Sequence, residues 1–175
     1  MRVPSGQNVR PTQDRVREAL FSIIAPAIAG SAFLDLFAGT GVVGLDAFSR
    51  GAAQITWIEK DRKACQTLSM NVAALGCDTG RLICSDTMVW LKGQTGLEQY
   101  DFVFADPPYE WAVQHGFGGI MACLRQNKII RDNGLFMAER ATRREVEDVP
   151  GWQLWRDRSY GKTQLLIYRL DEREN

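Results

Sequence analysis

Phe33-Leu34-Asp35-Leu36-Phe37-Ala38-Gly39-Thr40-Gly41-Val42-Val43-Gly44 carries an apolar run straight into a glycine-rich turn and then into a helical pattern continued by Ala47 and Phe48. A short buried strand feeding a turn and a helix is the opening half of a βαβ unit. Glycines at 39 and 41 let a backbone approach a ligand closely, and a helix that starts there aims its first N–H groups at the same place. Gly39, Gly41 and Gly44 also fit G-x-G-x-x-G, a spacing of dinucleotide sites that is weakly diagnostic when taken alone.

Working outward, Gln54-Ile55-Thr56-Trp57-Ile58 reads as the next strand and ends at Glu59, with Lys60 beside it. A carboxylate at that strand end is placed to accept two hydrogen bonds from ribose hydroxyls. NAD and S-adenosylmethionine both carry an adenosine, so Glu59 does not choose between them, and a solvated strand end is the plainer alternative. Asp61 is positioned to cap a helix with Ala64, Leu68, Val72 and Leu75 inward and Gly76 as its stop. Arg81-Leu82-Ile83-Cys84 reads as a short strand leading to Ser85-Asp86-Thr87, then a short helix around Val89-Trp90-Leu91. Upstream, residues 1–12 form an extended arm from which Pro11-Thr12 open a helix, with Thr12 as N-cap and Val16, Ala19, Leu20, Ile23 and Ile24 on one face. Residues 110–126 read as loop and helix, and Leu135-Phe136-Met137-Ala138 as another buried strand. Trp152–Tyr160 and residues 164–168 alternate as a closing antiparallel pair that turns at Gly161-Lys162. Strands alternating with helices predict an α/β fold, a doubly wound and mostly parallel sheet, in one domain over residues 1–175.

The apolar run Phe102-Val103-Phe104-Ala105 ends in Asp106-Pro107-Pro108-Tyr109. Proline lacks an N–H and has a fixed φ, so the carbonyls around Pro107 and Pro108 can face a ligand rather than local donors. Such an acceptor-rich ledge beside an aromatic plate suits the exocyclic amine of a flat ring, with N–H groups given to Asp106 and a proline-region carbonyl and the ring stacked on Tyr109. A plain Pro-Pro turn with Asp as its initiator is the other reading.

The chain has 175 residues, 45% hydrophobic and 24% charged, and a net charge of zero, so neither a disordered nor a strongly basic nucleic-acid-coating protein is indicated. It shows no apolar run long enough for a membrane span and no signal-peptide layout. Cys65, Cys77, Cys84 and Cys123 lack C-x-x-C spacing and read as free buried thiols in a cytoplasmic protein. The single histidine, His115, excludes a multi-histidine metal site and reads as an exposed loop residue. Trp57, Trp152 and Trp155 read as packing residues, and Trp111 as a candidate for base stacking. Arg143 and Arg144 lie in a charged stretch, whereas Arg15, Arg17, Arg156, Arg158 and Lys162 are candidates for a phosphate-contacting face.

The glycine turn, Glu59, Asp86 and the Asp-Pro-Pro-Tyr ledge occur in the order found in class I S-adenosylmethionine-dependent methyltransferases. Joined to Arg10-Pro11-Thr12-Gln13-Asp14-Arg15-Val16-Arg17-Glu18-Ala19-Leu20-Phe21, they make the chain resemble the bacterial 16S rRNA guanine-N2 methyltransferases of the RsmD-like family. The similarity extends to Tyr160-Gly161-Lys162-Thr163. The resemblance implies a Rossmann-like seven-stranded sheet with S-adenosylmethionine as cofactor and no metal. It implies that Asp35, Phe37, Gly39 and Gly41 line the methionine part, Glu59 holds the ribose and Asp86 accepts from the adenine amino group, with Ala38, Thr40, Lys60 and Thr87 also binding the cofactor. Arg10 and Thr12 would fold over the cofactor, with Arg15 nearby. Asp106, Pro107, Pro108 and Tyr109 would hold the target guanine. The implied partner is 16S rRNA or the assembled small subunit, met by a monomer. Family members usually begin with a basic β-hairpin ahead of the segment matching Val3-Pro4, which this sequence does not include. An N6-adenine or glutamine-amide methyltransferase shares the ledge chemistry. An NAD-dependent oxidoreductase would use the glycine spacing but leave the ledge idle.

Overall fold

The computed structural model describes residues 11–141 and 148–171, with side chains from residue 14 onward; Arg10 and residues 142–147, Arg143 and Arg144 among them, lie outside it. In chain order the elements are α1 (Pro11–Ile24), β1 (Ala32–Leu36), α2 (Val42–Ser49), β2 (Gln54–Glu59), α3 (Arg62–Ala74), β3 (Gly80–Cys84) and α4 (Thr87–Lys92). There follow β4 (Tyr100–Ala105), α5 (Tyr109–His115), α6 (Gly118–Gln126), β5 (Ile130–Ala141), β6 (Trp152–Tyr160) and β7 (Thr163–Leu170). The strands form one seven-stranded sheet in the order β3-β2-β1-β4-β5-β7-β6. β1 to β5 are parallel, and β7 runs antiparallel between β5 and β6.

Helices cover both faces, which is why β1 and β4 read as continuous apolar runs rather than alternating ones. Leu34, Leu36, Val103, Ala105, Phe136 and Ala138 face one core with Trp90 and Leu91 of α4 and Ile120, Met121 and Leu124 of α6. Phe33, Ile55, Trp57, Phe102, Phe104 and Met137 face the other with Leu20, Phe21 and Ile24 of α1, Leu45 and Ala47 of α2 and Leu68 of α3. The sheet order reverses at β1 and β4, and in doubly wound sheets the crevice beyond the strand ends at that switch is where ligands bind.

Four local readings are revised. α1 starts at Pro11, so Thr12 stands inside the first turn rather than at its N-cap; proline is favoured there because its missing N–H needs no partner. α5 starts at Tyr109, directly off the ledge, and Gly116 with φ 61 separates it from α6, so His115 ends a helix. β5 begins five residues before the apolar run because Arg131, Asp132 and Asn133 at its exposed start carry no apolar signal. On α3 Leu68 is buried and Val72 packs on the core as expected, Cys65 and Asn71 are buried beside them, and Leu75 follows the last helical residue and is exposed.

Gly44 and Gly80 both lie against the fully buried Trp57 ring; a Cβ on Gly44 would collide with Trp57 Nε1 and sit 2.7 Å from its Cε2. Gly44→Ala is expected to lower stability by about 1–3 kcal/mol in urea unfolding, because the indole has no space to retreat into. Gly119→Ala, whose Cβ meets only Met88 Cε at 3.6 Å, should be neutral or stabilising on the same α-helical grounds. Equal stability of Gly44→Ala and the parent would contradict this packing.

Candidate active site

The chain leaves β1 through a backbone reversal in which Phe37, Gly39 and Gly41 have φ of 61, 56 and 81. Glycine tolerates such angles, but Phe37 does not, and a bulky residue held there is characteristic of functional turns. The turn is held from several sides. Gly39 N–H donates to Glu59 Oε2 at 2.8 Å, Asn71 Nδ2 donates to the Thr40 carbonyl at 3.1 Å, and Gly44 N–H, in the first turn of α2, donates to Asp35 Oδ2 at 3.0 Å. Gly41, expected as a point of ligand approach, has a second duty: a Cβ there would collide with Leu68 Cδ1 of α3. Gly39 is different, since a Cβ on it would meet nothing within 4 Å.

Glu59 ends β2, and its other oxygen, Oε1, accepts from Asp61 N at 2.7 Å. Asp61 in turn caps α3 through Ala64 N. At the end of the neighbouring strand, Asp86 caps α4, with Oδ1 accepting from Met88 N at 2.9 Å and Val89 N at 3.2 Å. Both bonds land on one oxygen, leaving Oδ2 as a further acceptor.

Past β4, Pro107 is buried and Pro108 occupies the N-cap position of α5, its carbonyl accepting from Ala112 N at 3.0 Å. Among the described residues no backbone N–H reaches the Pro107 carbonyl. Tyr109 is 68% exposed at the rim. Trp111 tilts onto Phe37 with ring centroids 4.8 Å apart and stacks on His115 at the same separation, joining α5 to the glycine turn.

One cavity of about 340 Å³ is lined by Phe37, Gly39, Glu59, Lys60, Thr87, Asp106, Pro107 and Pro108. It therefore brings together the turn, the β2 end, the start of α4 and the ledge. Asp35 stands behind the turn, 2% exposed; Asp86 adjoins Thr87 as the cap of its helix. Ala38, Thr40 and Gly41 belong to the turn without lining the cavity, and the side chain of Thr12 is outside the described residues. A larger hollow of about 670 Å³ between α6 and residues 148–150 gathers none of these motifs. Sequence reading missed Asn71, whose only signal is a polar residue at the inward spacing Cys65-Leu68-Asn71, and Glu139, which follows the buried run on β5.

Glu59, Asp106 and Lys60 are the charged residues in the cavity lining, and two more carboxyls stand close behind it. Burial pushes the Asp35 carboxyl up to about 7, against the Gly44 hydrogen bond and with help from Asp106 and Glu59. Close surrounding protein raises Asp106 to about 6, although its side chain opens on the cleft. Burial, then Asp106, raises Glu139 to about 8. Cys65, behind Glu59 with its thiol 3.3 Å from the Glu59 carbonyl, is pushed by burial up to about 12 and is no nucleophile. Cys84 is exposed rather than buried, because edge strand β3 ends there. Of the proposed basic face, Arg17 is occupied by Asp14 at 2.9 Å and Asp46 at 3.2 Å, and Arg156 lies over Trp155 at 4.4 Å.

A carboxyl whose folded pKa is raised stabilises the fold below its unfolded pKa, and that contribution is lost as pH rises through the folded value. For Asp35 the window runs from near 4 to about 7. Stability should fall by roughly 1–3 kcal/mol between pH 5 and 8. Asp35→Asn, which keeps an acceptor for Gly44 N–H, should flatten that fall. Urea titrations at pH 5, 6.5 and 8 check this; parallel profiles for the two proteins would rule it out.

Residues 1–169 match the family model described as conserved hypothetical protein 95. The chain is 38% identical over 173 residues to ribosomal RNA small subunit methyltransferase D of Escherichia coli, covering 98% of this chain and 83% of that protein. It is 29% identical over 175 residues to the Bacillus subtilis protein named as the rRNA methyltransferase YlbH, covering 97% and 92%. Among solved structures, an Escherichia coli protein described as a methyltransferase superposes with a TM-score of 0.86 at 33% identity, covering 98% of this chain and 91% of that one. A Haemophilus influenzae protein described as a methylase gives 0.80 at 29% identity, covering 93% and 100%.

Proposed function

Because this chain belongs to the conserved hypothetical protein 95 family, alongside ribosomal RNA small subunit methyltransferase D, we propose that it methylates the exocyclic N2 amine of a guanine in 16S ribosomal RNA, using S-adenosylmethionine. The observation that carries the reading is the single cavity in which the glycine turn and the Asp106-Pro107-Pro108 ledge face one another.

The residues present fit the cofactor. Gly39 opens onto a cavity in the usual size range for small-molecule sites. Glu59 has one oxygen committed to the turn and one to Asp61, and each retains a lone pair for a ribose hydroxyl. Asp86 Oδ2 is suited to an adenine amino group. Bound there, S-adenosylmethionine supplies a methyl group already activated by its sulfonium.

The difficulty lies in the acceptor, since the lone pair of guanine's 2-amino group is delocalised into the ring. Asp106 and the Pro107 carbonyl accept the two N–H bonds, which turns the lone pair toward the methyl and favours a tetrahedral nitrogen. Tyr109 holds the ring plane from the rim. The amine nitrogen forms its new bond, becomes positively charged and sheds one proton, for which Asp106 is the nearest acceptor. Alignment of the reacting atoms is the main contribution, worth up to about 7–11 kcal/mol in ideal cases. A base must leave its stack to reach the ledge, which favours loops and mismatched sites. The chain acts as a monomer on rRNA or the assembled subunit.

Asp106→Ala is expected to keep S-adenosylmethionine affinity within about threefold while losing 10²-fold or more in turnover. Calorimetry with S-adenosylmethionine and, separately, NAD reads the first part. Radiolabelled methyl transfer to unmethylated 16S rRNA and small subunits, followed by mapping of the modified base, reads the second. Heat on NAD alone, or a label on adenine, would defeat the proposal.

A further inference from the structure

Ala105 and Ala138 are the last residues paired between β4 and β5, so Asp106 and Glu139 are the next two positions on neighbouring parallel strands. Both continue the side of the sheet on which Phe104 and Met137 lie. Glu139 is half-buried, and neither carboxyl has a side-chain hydrogen bond or ion pair among the described residues. Among the described residues no cation pairs with Glu139, and Lys60 lines the same cavity as Asp106. β4 contributes Asp106, and β7 contributes Leu165 opposite, flanked by Gln164 and Leu166. Arg140 points the other way and is engaged by Gln164 Oε1 at 2.9 Å. α5, which packs on β5, carries Tyr109, Glu110 and His115. Asp35 and Glu59 add negative charge deeper in the cleft.

Asp106 opens on the cleft and Glu139 is half-buried next to it in register; two adjacent carboxyls, one of them partly withdrawn from water, resist ionising together and favour holding one proton between them. Resting on the methyl-transfer reading above, we propose that Glu139 is a positioning residue for Asp106, the two forming a carboxyl pair in which Glu139 carries the proton and Asp106 meets the amine as the single charged acceptor. A protonated Glu139 can donate to one Asp106 oxygen and leave the other for the substrate N–H. During transfer the nitrogen lone pair forms the new N–C bond, the C–S electron pair stays on sulfur, and the proton leaving nitrogen passes to Asp106. The doubly protonated pair then releases one proton to water at the open side of the cleft. The raised values of both carboxyls, about 6 for Asp106 and about 8 for Glu139, agree with that order of proton loss.

The test has a half that needs no substrate. In protein labelled with carboxyl ¹³C at Asp and Glu, the pair is expected to titrate in two steps above the ordinary carboxylate range. Asp106→Asn should lower the Glu139 step by about one pH unit or more, the mark of a coupled pair. Glu139→Gln should abolish the upper step. In the methyl-transfer assay, Glu139→Ala is expected to lower kcat about tenfold or more with cofactor affinity unchanged, and Glu139→Gln, which keeps a donor for Asp106, should recover most of the loss. A Glu139 that titrates in the ordinary range or ignores Asp106→Asn overturns the pair, as does a Glu139→Gln no better than Glu139→Ala. If no methyl reaches guanine, the function fails while the ¹³C titration still decides the pair.

Discussion

The 2.8 Å hydrogen bond from Gly39 N–H to Glu59 Oε2 ties the turn after β1 to the end of β2, and the geometry of the cleft depends on it. A backbone that runs through three positive-φ residues in five has few ladder bonds of its own. It keeps its shape because side chains from other elements satisfy it: Glu59 from β2, Asn71 from α3 and Asp35 from β1 itself. The same carboxylate reaches forward to Asp61, which caps α3, and α3 carries Asn71 back to the turn. The loop of contacts is closed, so the carboxylate proposed for the ribose also holds the turn beside it.

Such an arrangement accumulates negative charge. Glu59 and Asp106 line one crevice, with Asp35 behind its turn and Glu139 next to Asp106 in register; burial pushes Asp35, Asp106 and Glu139 upward, and Asp106 adds to the shift at Asp35 and Glu139. Charge on the three carboxyls that burial pushes upward costs stability at neutral pH, which is typical of sites where function rather than stability sets the electrostatics. The cost suits a donor that arrives carrying a positive charge and an acceptor that becomes positive as it reacts. A field that is unfavourable to the empty fold is favourable to both, because the attraction grows as charge develops on the nitrogen.

Much of this was legible in the sequence for physical reasons. β1, β2 and β4 are short apolar runs bounded by turn residues, and Gly161-Lys162 marks the turn between β6 and β7, so the α/β class and the antiparallel edge could be read directly. Glu59 and Asp106 were visible because they are carboxylates at strand ends. Glu139 sits just as close to Asp106 in register, yet nothing distinguishes it from a surface charge until β5 is paired with β4. Asn71, and the packing duty of Gly41, were hidden for a related reason: they are contacts with Thr40 and Leu68, distant in sequence. The strained Phe37 is a conformational fact that residue identity does not announce.

The topology also separates two tasks. Among the described residues, those proposed to hold adenosine follow β1, β2 and β3, on one side of the switch point. Those proposed to hold the acceptor amine follow β4, on the other. A change on the second side can therefore alter which amine is presented without disturbing how the donor is held, because the two sets meet only across the cavity. Phe37 is the exception: its ring belongs to the donor turn but packs on Trp111 of the acceptor helix α5. That contact fixes the turn and the helix that carries Tyr109 against one another across the cleft.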